Sequence, residues 1–228
     1  GAAYVPIDTA SPEGRTAEIL RAAEVQFVLT QGSLRSRMPN TGLKLLAFDE
    51  DWASIERCDP MDAAPVVDPE ALAYVMFTSG TTGKPKGVCV THRNVMRLVR
   101  GADYVKISPE DVFLQFAPLA FDATTSEIWG PLLNGARLVV YPHNVPAAAE
   151  LAKVLDEHKV TILWLTAGFF HYMVENELAA VARVRQVLAG GDVLSVSHVQ
   201  RLLDAKHDGY VINGYGPTEN TTFTCCHR

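Results

Sequence analysis

Tyr74-Val75-Met76-Phe77-Thr78-Ser79-Gly80-Thr81-Thr82-Gly83-Lys84-Pro85-Lys86-Gly87-Val88 decides how this chain reads. Four residues suited to a buried strand run into a loop that carries three glycines, three threonines, a serine and two lysines. Glycine lets main-chain N–H groups turn inward together, hydroxyls add short donors, and lysines add charge, so the loop is built to cradle a polyphosphate. It is not a Walker-type loop. That motif opens a helix after G-K-[ST], whereas Pro85 follows Gly83-Lys84 here and disfavours helix at Lys84.

Outward from the loop, short apolar runs alternate with helical patterns. Upstream, residues 1–8 read as a strand, Ser11-Pro12-Glu13 as an N-cap, first-turn proline and early acid, and 25–30 and 44–48 as further strands. Residues 49–70 turn acidic and proline-marked, which places a connector and a lobe boundary there. Downstream, strands are expected at 88–90, 112–116, 138–141, 160–165, 184–189 and 210–213. Helices are expected from 91, from 151, over 167–175 and around 199–203. Such alternation predicts an α/β fold of mostly parallel sheets flanked by helices, split into 1–70 and 71–228. Ligands in such sheets bind beyond the carboxyl ends of the strands, so the strand ends at 121–122, 190–192 and 214–219 are expected to join the phosphate loop in one site.

Composition excludes several classes of function. The chain has 228 residues, 48% hydrophobic and 20% charged, with 20 basic against 26 acidic residues and a net charge of −6. No basic run or aromatic-basic interleaving argues for nucleic acid. The four cysteines, Cys58, Cys89, Cys225 and Cys226, lack zinc-site spacing and read as reduced thiols, and no apolar run approaches the ~20 residues of a membrane span. A cytoplasmic protein with no membrane partner is expected. The chain opens mid-strand without a start methionine, which reads as a fragment.

The segment from Thr78 to Gly87 resembles the signature loop of the adenylate-forming superfamily: acyl-CoA ligases, luciferases and the adenylation domains of nonribosomal peptide synthetases. The resemblance assigns Thr78, Ser79, Gly80, Thr81, Thr82, Gly83, Lys84 and Lys86 to the phosphates of ATP. It implies flavodoxin-like or Rossmann-like layers from the large N-terminal part of such an enzyme. Asn213-Gly214-Tyr215-Gly216-Pro217-Thr218-Glu219 matches the N-x-Y-G-P-T-E segment of adenylation domains. By that likeness Asn213 meets the adenine amino edge, Gly214 and Tyr215 the adenine ring, Thr218 the α-phosphate and Glu219 Mg²⁺, while Gly190 and Gly191 border the adenine.

Phe121-Asp122-Ala123, ahead of Glu127-Ile128-Trp129, separates branches of the superfamily. A buried carboxylate at this point needs a cation, which an amino acid's α-ammonium supplies, and amino-acid-activating domains carry an aspartate here. Likeness to the family's selectivity pattern picks Phe121, Asp122, Ala123, Ser126, Trp164, Val187, Ala189, Gly214, Thr222 and Phe223 as pocket residues. Trp164 and Phe223 shorten the cavity, and no second charge remains for a charged side chain. A neutral aliphatic amino acid is expected, valine first, with ATP and Mg²⁺ as cofactors and the phosphopantetheine of a peptidyl carrier protein as acceptor. The family's lysine-bearing C-terminal subdomain is absent from this chain, so the chain alone is expected to activate its amino acid weakly or not at all. Two readings stay open beside this one: a silent nucleotide-binding module, and a CoA ligase of the same superfamily.

Overall fold

The computed structural model describes residues 2–40, 42–58, 68–79, 85–142, 147–205 and 208–228. The chain divides into two compact units, Gly1–His92 and Arg93–Arg228.

In the first unit, helix α1 (Glu13–Ala22) precedes two parallel strands, β1 (Phe27–Thr30) and β2 (Lys44–Ala47). The helix begins one residue later than the capping motif suggests. Pro12, in extended geometry at ψ 146°, holds the cap position with no side-chain cap bond, and its carbonyl accepts from Thr16. After the short helix α2 (Trp52–Ile55) come β3 (Leu72–Ser79) and β4 (Pro85–Thr91), which pair antiparallel. The strands that flank the phosphate loop are therefore paired with each other, and β4, not a helix, follows it. The described residues of the strand expected at 1–8, residues 2–8, form no strand: Tyr4 alone bridges to Tyr74, with the two rings 5.3 Å apart, and Pro6 lacks the donor needed to extend a ladder. Because the hairpin pairs internally and takes up Tyr4, the unit boundary follows the hairpin and not the acidic connector before it.

The second unit is organised around a six-stranded sheet of order β10-β9-β8-β7-β5-β6. Its strands are β5 (Val112–Gln115), β6 (Arg137–Val140), β7 (Ile162–Thr166), β8 (Gln186–Gly190), β9 (Tyr210–Tyr215) and β10 (Cys225–His227). All pair parallel except β10, which runs antiparallel on β9. β5 and β8 are buried along their whole length, as is β7 up to Leu165, the pattern of strands covered on both faces. One face carries α5 (Ala148–His158), α6 (Ala167–Asn176), α7 (Leu178–Arg183) and α8 (Val196–Ala205), packed through Leu151, Phe170, Met173, Val181 and Leu202. The other carries α3 (His92–Val99) and α4 (Ala123–Asn134), with Leu98, Val99, Ala123 and Trp129 against Phe113, Trp164 and Leu188. Gly135 at φ 72° closes α4 in the left-handed conformation that glycine adopts without a Cβ clash.

From β5 the chain goes to β6 on one side and then back to β7 on the other. β5 and β7 therefore flank the point where strand order reverses, and crevices open at that point in doubly wound sheets.

Candidate functional site

Asp122 follows β5 at this switch point and stands at the N-cap position of α4. It makes no capping bond there, and it is only 8% exposed. Burial raises its pKa above the usual carboxylate value; the Thr218 hydroxyl and the Ala123 N–H pull it partway back, and the charge of Glu219 adds to the rise. None of these neighbours is a cation. A buried carboxylate stabilised only by hydrogen bonds is poised to gain from a positive ligand.

Thr218 and Glu219 begin a short 3-10 turn, Thr218–Asn220, directly after β9. The chain then passes through Thr221 and Thr222, both at positive φ, before β10. Thr222 is buried, and its Oγ1 donates to the Asp122 carbonyl at 2.8 Å. Phe223 is buried over β9: a Cβ on Gly214 would stand 2.7 Å from its ring. The segments expected at the ends of β5 and β9 thus meet directly, through Asp122, Thr218 and Thr222.

Trp164 on β7 lies beside the Phe121 ring at 5.6 Å, and its indole Nε1 is buried with no acceptor among the described residues. A cavity of about 20 Å³ lies beneath, lined by Phe113, Ser126, Glu127, Ile162, Trp164 and Leu188. That volume holds about one water molecule, so neighbouring side chains must shift before a branched group enters. Ser126 Oγ donates to the Ala123 carbonyl at 2.9 Å.

Val187 and Ala189 are not brought to this cavity. They belong to the core on the opposite face of the sheet, with Leu163, Leu165 and Val211, whereas Leu188 packs with Trp164, Ile212 and Phe223. Strand side chains alternate, so a register displaced by one residue exchanges the faces.

Gly190 ends β8 opposite Gly214, and a Cβ there would fall 2.0 Å from the Gly214 carbonyl oxygen. Because the obstacle is backbone, Gly190→Ala is expected to cost about 2–3 kcal/mol of stability, measurable by urea denaturation. Wild-type stability in that variant would mean the two strands separate freely. Gly191 has φ 81° with nothing near its Cβ position. Tyr215 is 68% exposed at the end of β9, and Asn213 and Glu219 are also exposed.

Glu127, one helical turn beyond Ala123, is a motif member to which the sequence attaches no role. It is 2% exposed and accepts from the Phe116 N–H at 3.1 Å and the Ala117 N–H at 3.0 Å, tying α4 to the end of β5. Burial pushes its pKa up to about 8 against the opposing effect of those N–H groups. Arg97 is a second residue that the sequence does not single out. From α3 it donates to the carbonyls of Asn220, Thr221 and Phe223.

In the first unit, Thr78 and Ser79 end β3 and Lys86 lies in β4, with the Thr78 carbonyl accepting from Arg15 at 3.4 Å. Gly80, Thr81, Thr82, Gly83 and Lys84 lie outside the described residues. Among the described residues no group of His, Cys, Asp and Glu forms a metal cluster, and no helix is long and apolar enough to cross a membrane.

Comparison with known proteins follows the same lines. The family model of AMP-binding enzymes matches residues 1–228. A linear gramicidin synthase from Brevibacillus parabrevis is 49% identical over 229 residues, spanning 100% of this chain and 4% of that protein. Gramicidin S synthase 2 of Brevibacillus brevis is 40% identical over 227 residues, spanning 99% of this chain and 5% of its own length. The chain thus matches a small part of each of these synthases. A solved nonribosomal peptide synthetase protein containing adenylation and PCP domains, bound to a vinylsulfonamide inhibitor, superposes with a TM-score of 0.88 at 36% identity. It covers 99% of this chain, which spans 38% of it. The Klebsiella oxytoca NpsA N-terminal subdomain, in complex with 3-hydroxyanthranilyl-AMSN, superposes with a TM-score of 0.88 at 30% identity, over 100% of this chain and 57% of its own. Since the family model accounts for every residue and the sheet is that of solved adenylation domains, the chain belongs to the AMP-binding enzymes, within the adenylation domains of nonribosomal peptide synthetases.

Proposed function

We propose that this chain is the ATP- and amino-acid-binding core of an adenylation domain that activates a neutral aliphatic L-amino acid. The observation that carries the reading is Asp122: a carboxylate buried at the switch point, with no cation beside it among the described residues, and bonded to the Thr218 hydroxyl. An α-ammonium placed there supplies the missing charge. Its carboxylate then lies toward Thr218, where the α-phosphate of ATP is expected. The substrate carboxylate attacks the α-phosphorus and pyrophosphate leaves, giving aminoacyl-AMP. A carrier protein's phosphopantetheine thiol attacks the acyl carbon next, forming a thioester as AMP leaves.

The chain's own residues position and neutralise, and none serves as nucleophile. Thr218 donates to the α-phosphate. The exposed Glu219 carboxylate is a suitable oxygen ligand for Mg²⁺, which offsets phosphate charge when bound. The exposed ring of Tyr215 offers the adenine a face to stack on, and the glycine backbone at 190 and 191 borders it. Thr78, Ser79 and Lys86, with residues 80–84, take the β- and γ-phosphates.

The acyl pocket is formed by Ala123, Ser126, Trp164, Leu188, Gly190, Gly214, Thr222 and Phe223 around Asp122. Among the described residues the cavity beneath Trp164 adds one further acidic group, Glu127, which burial keeps protonated at neutral pH, so a charged side chain would still be buried unpaired. Valine is the first choice. Isoleucine and leucine follow closely, because one methylene changes binding by only ~1–3 kcal/mol. The test is amino-acid-dependent pyrophosphate exchange by the polypeptide that carries this sequence, over a panel of amino acids and aryl or fatty acids. Valine, isoleucine or leucine is expected to lead; a leading charged amino acid or a non-amino acid would contradict the reading.

A further inference from the structure

The return from β9 to β10 is folded in a shape its own residues disfavour. Thr221 and Thr222 have φ of 59° and 65°, a region β-branched side chains rarely occupy, although glycines stand nearby at 214 and 216. The Phe223 N–H donates to the Thr221 carbonyl at 2.9 Å, closing a three-residue turn around Thr222. Turns of this kind with positive φ at the centre are strained and persist only where the surroundings hold them.

Beside the bonds within the segment, such as Asn220 Nδ2 to Thr224 Oγ1 at 2.7 Å, two ties reach it from other elements. On the buried side, Thr222 Oγ1 donates to the Asp122 carbonyl at 2.8 Å. On the outer side a single guanidinium gathers the segment: Arg97 Nη1 donates to the Phe223 carbonyl at 3.1 Å, and Nη2 to those of Asn220 at 2.7 Å and Thr221 at 3.2 Å. The arginine is itself well seated. Val95, Leu98 and Val99 of α3 are buried, and the Tyr104 hydroxyl donates to the Leu98 carbonyl at 2.7 Å while its ring stands edge-on to Phe223 at 5.6 Å. A planar fork can serve three carbonyls at once, which a lysine ammonium on a flexible stem does less well.

We infer that Arg97 is a positioning residue for side-chain selection: by holding residues 220–223 in their left-handed shape, it sets where Thr222 and Phe223 stand over Asp122 and Gly214. It acts without touching the substrate. The inference rests on the functional reading above, and two readouts keep the two separable.

The first readout is backbone hydrogen exchange in the 228-residue chain without ligand. Arg97→Met keeps the apolar stem and removes the donors. It is expected to speed exchange in residues 220–224 while β7 and β8 stay protected and the melting temperature is nearly unchanged, with Arg97→Lys in between. The second is equilibrium binding of L-valyl- and L-alanyl-sulfamoyladenosine, non-hydrolysable analogues of the aminoacyl-adenylate. Arg97→Met is expected to reduce the valyl-over-alanyl preference about tenfold, the scale set by small changes in an apolar pocket, and Arg97→Lys to restore part of it. Unchanged exchange in Arg97→Met overturns the positioning claim alone and leaves the functional reading standing. Faster exchange with an unchanged valyl/alanyl ratio also overturns it, because the arginine would then be a structural tie only. If the unsubstituted chain binds neither these nor any other acyl analogue, the functional reading fails first and the selectivity claim falls with it.

Discussion

Asp122→Ala is expected to lower affinity for an aminoacyl-adenylate analogue by ~100-fold or more, with no loss of folding stability. Removing one partner of a buried ion pair costs ~3–5 kcal/mol, and every 1.4 kcal/mol is tenfold in affinity. The unliganded protein behaves in the opposite sense. There the carboxylate is 8% exposed and its pKa is raised by burial, so alanine removes a desolvation cost and surrenders the bonds from the Thr218 hydroxyl and the Ala123 N–H. Calorimetry with L-valyl-sulfamoyladenosine and with its des-amino counterpart separates the effects. Wild type is expected to prefer the amino compound strongly, and Asp122→Ala to bind the two about equally. An unchanged preference would reduce Asp122 to a polar residue at a helix start.

Glu127 is expected to make the fold weaken as pH rises. Its folded pKa of about 8 lies above the ordinary 4.5, so the native state holds a proton that the unfolded chain releases. The contribution is complete below pH 4.5 and is lost progressively as pH climbs to 8, by an amount on the order of a few kcal/mol at ~1.36 kcal/mol per unit. Glu127→Gln keeps an acceptor for the Phe116 and Ala117 N–H groups and cannot ionise. Urea denaturation across pH 5–8.5 is therefore expected to show a steeper fall for wild type than for the variant, with the variant more stable at pH 8. Parallel curves would mean the carboxylate keeps its charge inside the protein.

The parallel sheet of the second unit was legible because β5, β7 and β8 are apolar nearly throughout, which only strands buried on both faces tolerate. Asp122, Thr218 and Thr222 were legible as motif members, though their mutual bonds were not. α7 and β10 are illegible because six and three residues carry too little periodicity to read. Which face Val187, Leu188 and Ala189 take was not legible, because every residue of β8 is apolar or glycine after Gln186, so the sequence carries no alternation to mark a face. Arg97 is hidden for another reason. Its partners are main-chain carbonyls 123 to 126 residues away, which leave no trace in side-chain identity. Thr221 and Thr222 likewise carry no sign of their positive φ, since glycine or asparagine would be the usual signal.

The central claim is that Asp122 and the β9–β10 segment form an amino-acid adenylate site. Titrating this chain with L-valyl-sulfamoyladenosine by isothermal calorimetry tests it most directly. The account predicts one site per chain, displaced by ATP and weakened by Asp122→Ala. Absence of binding, or tighter binding of an aryl or fatty acyl analogue than of any aminoacyl one, would contradict it.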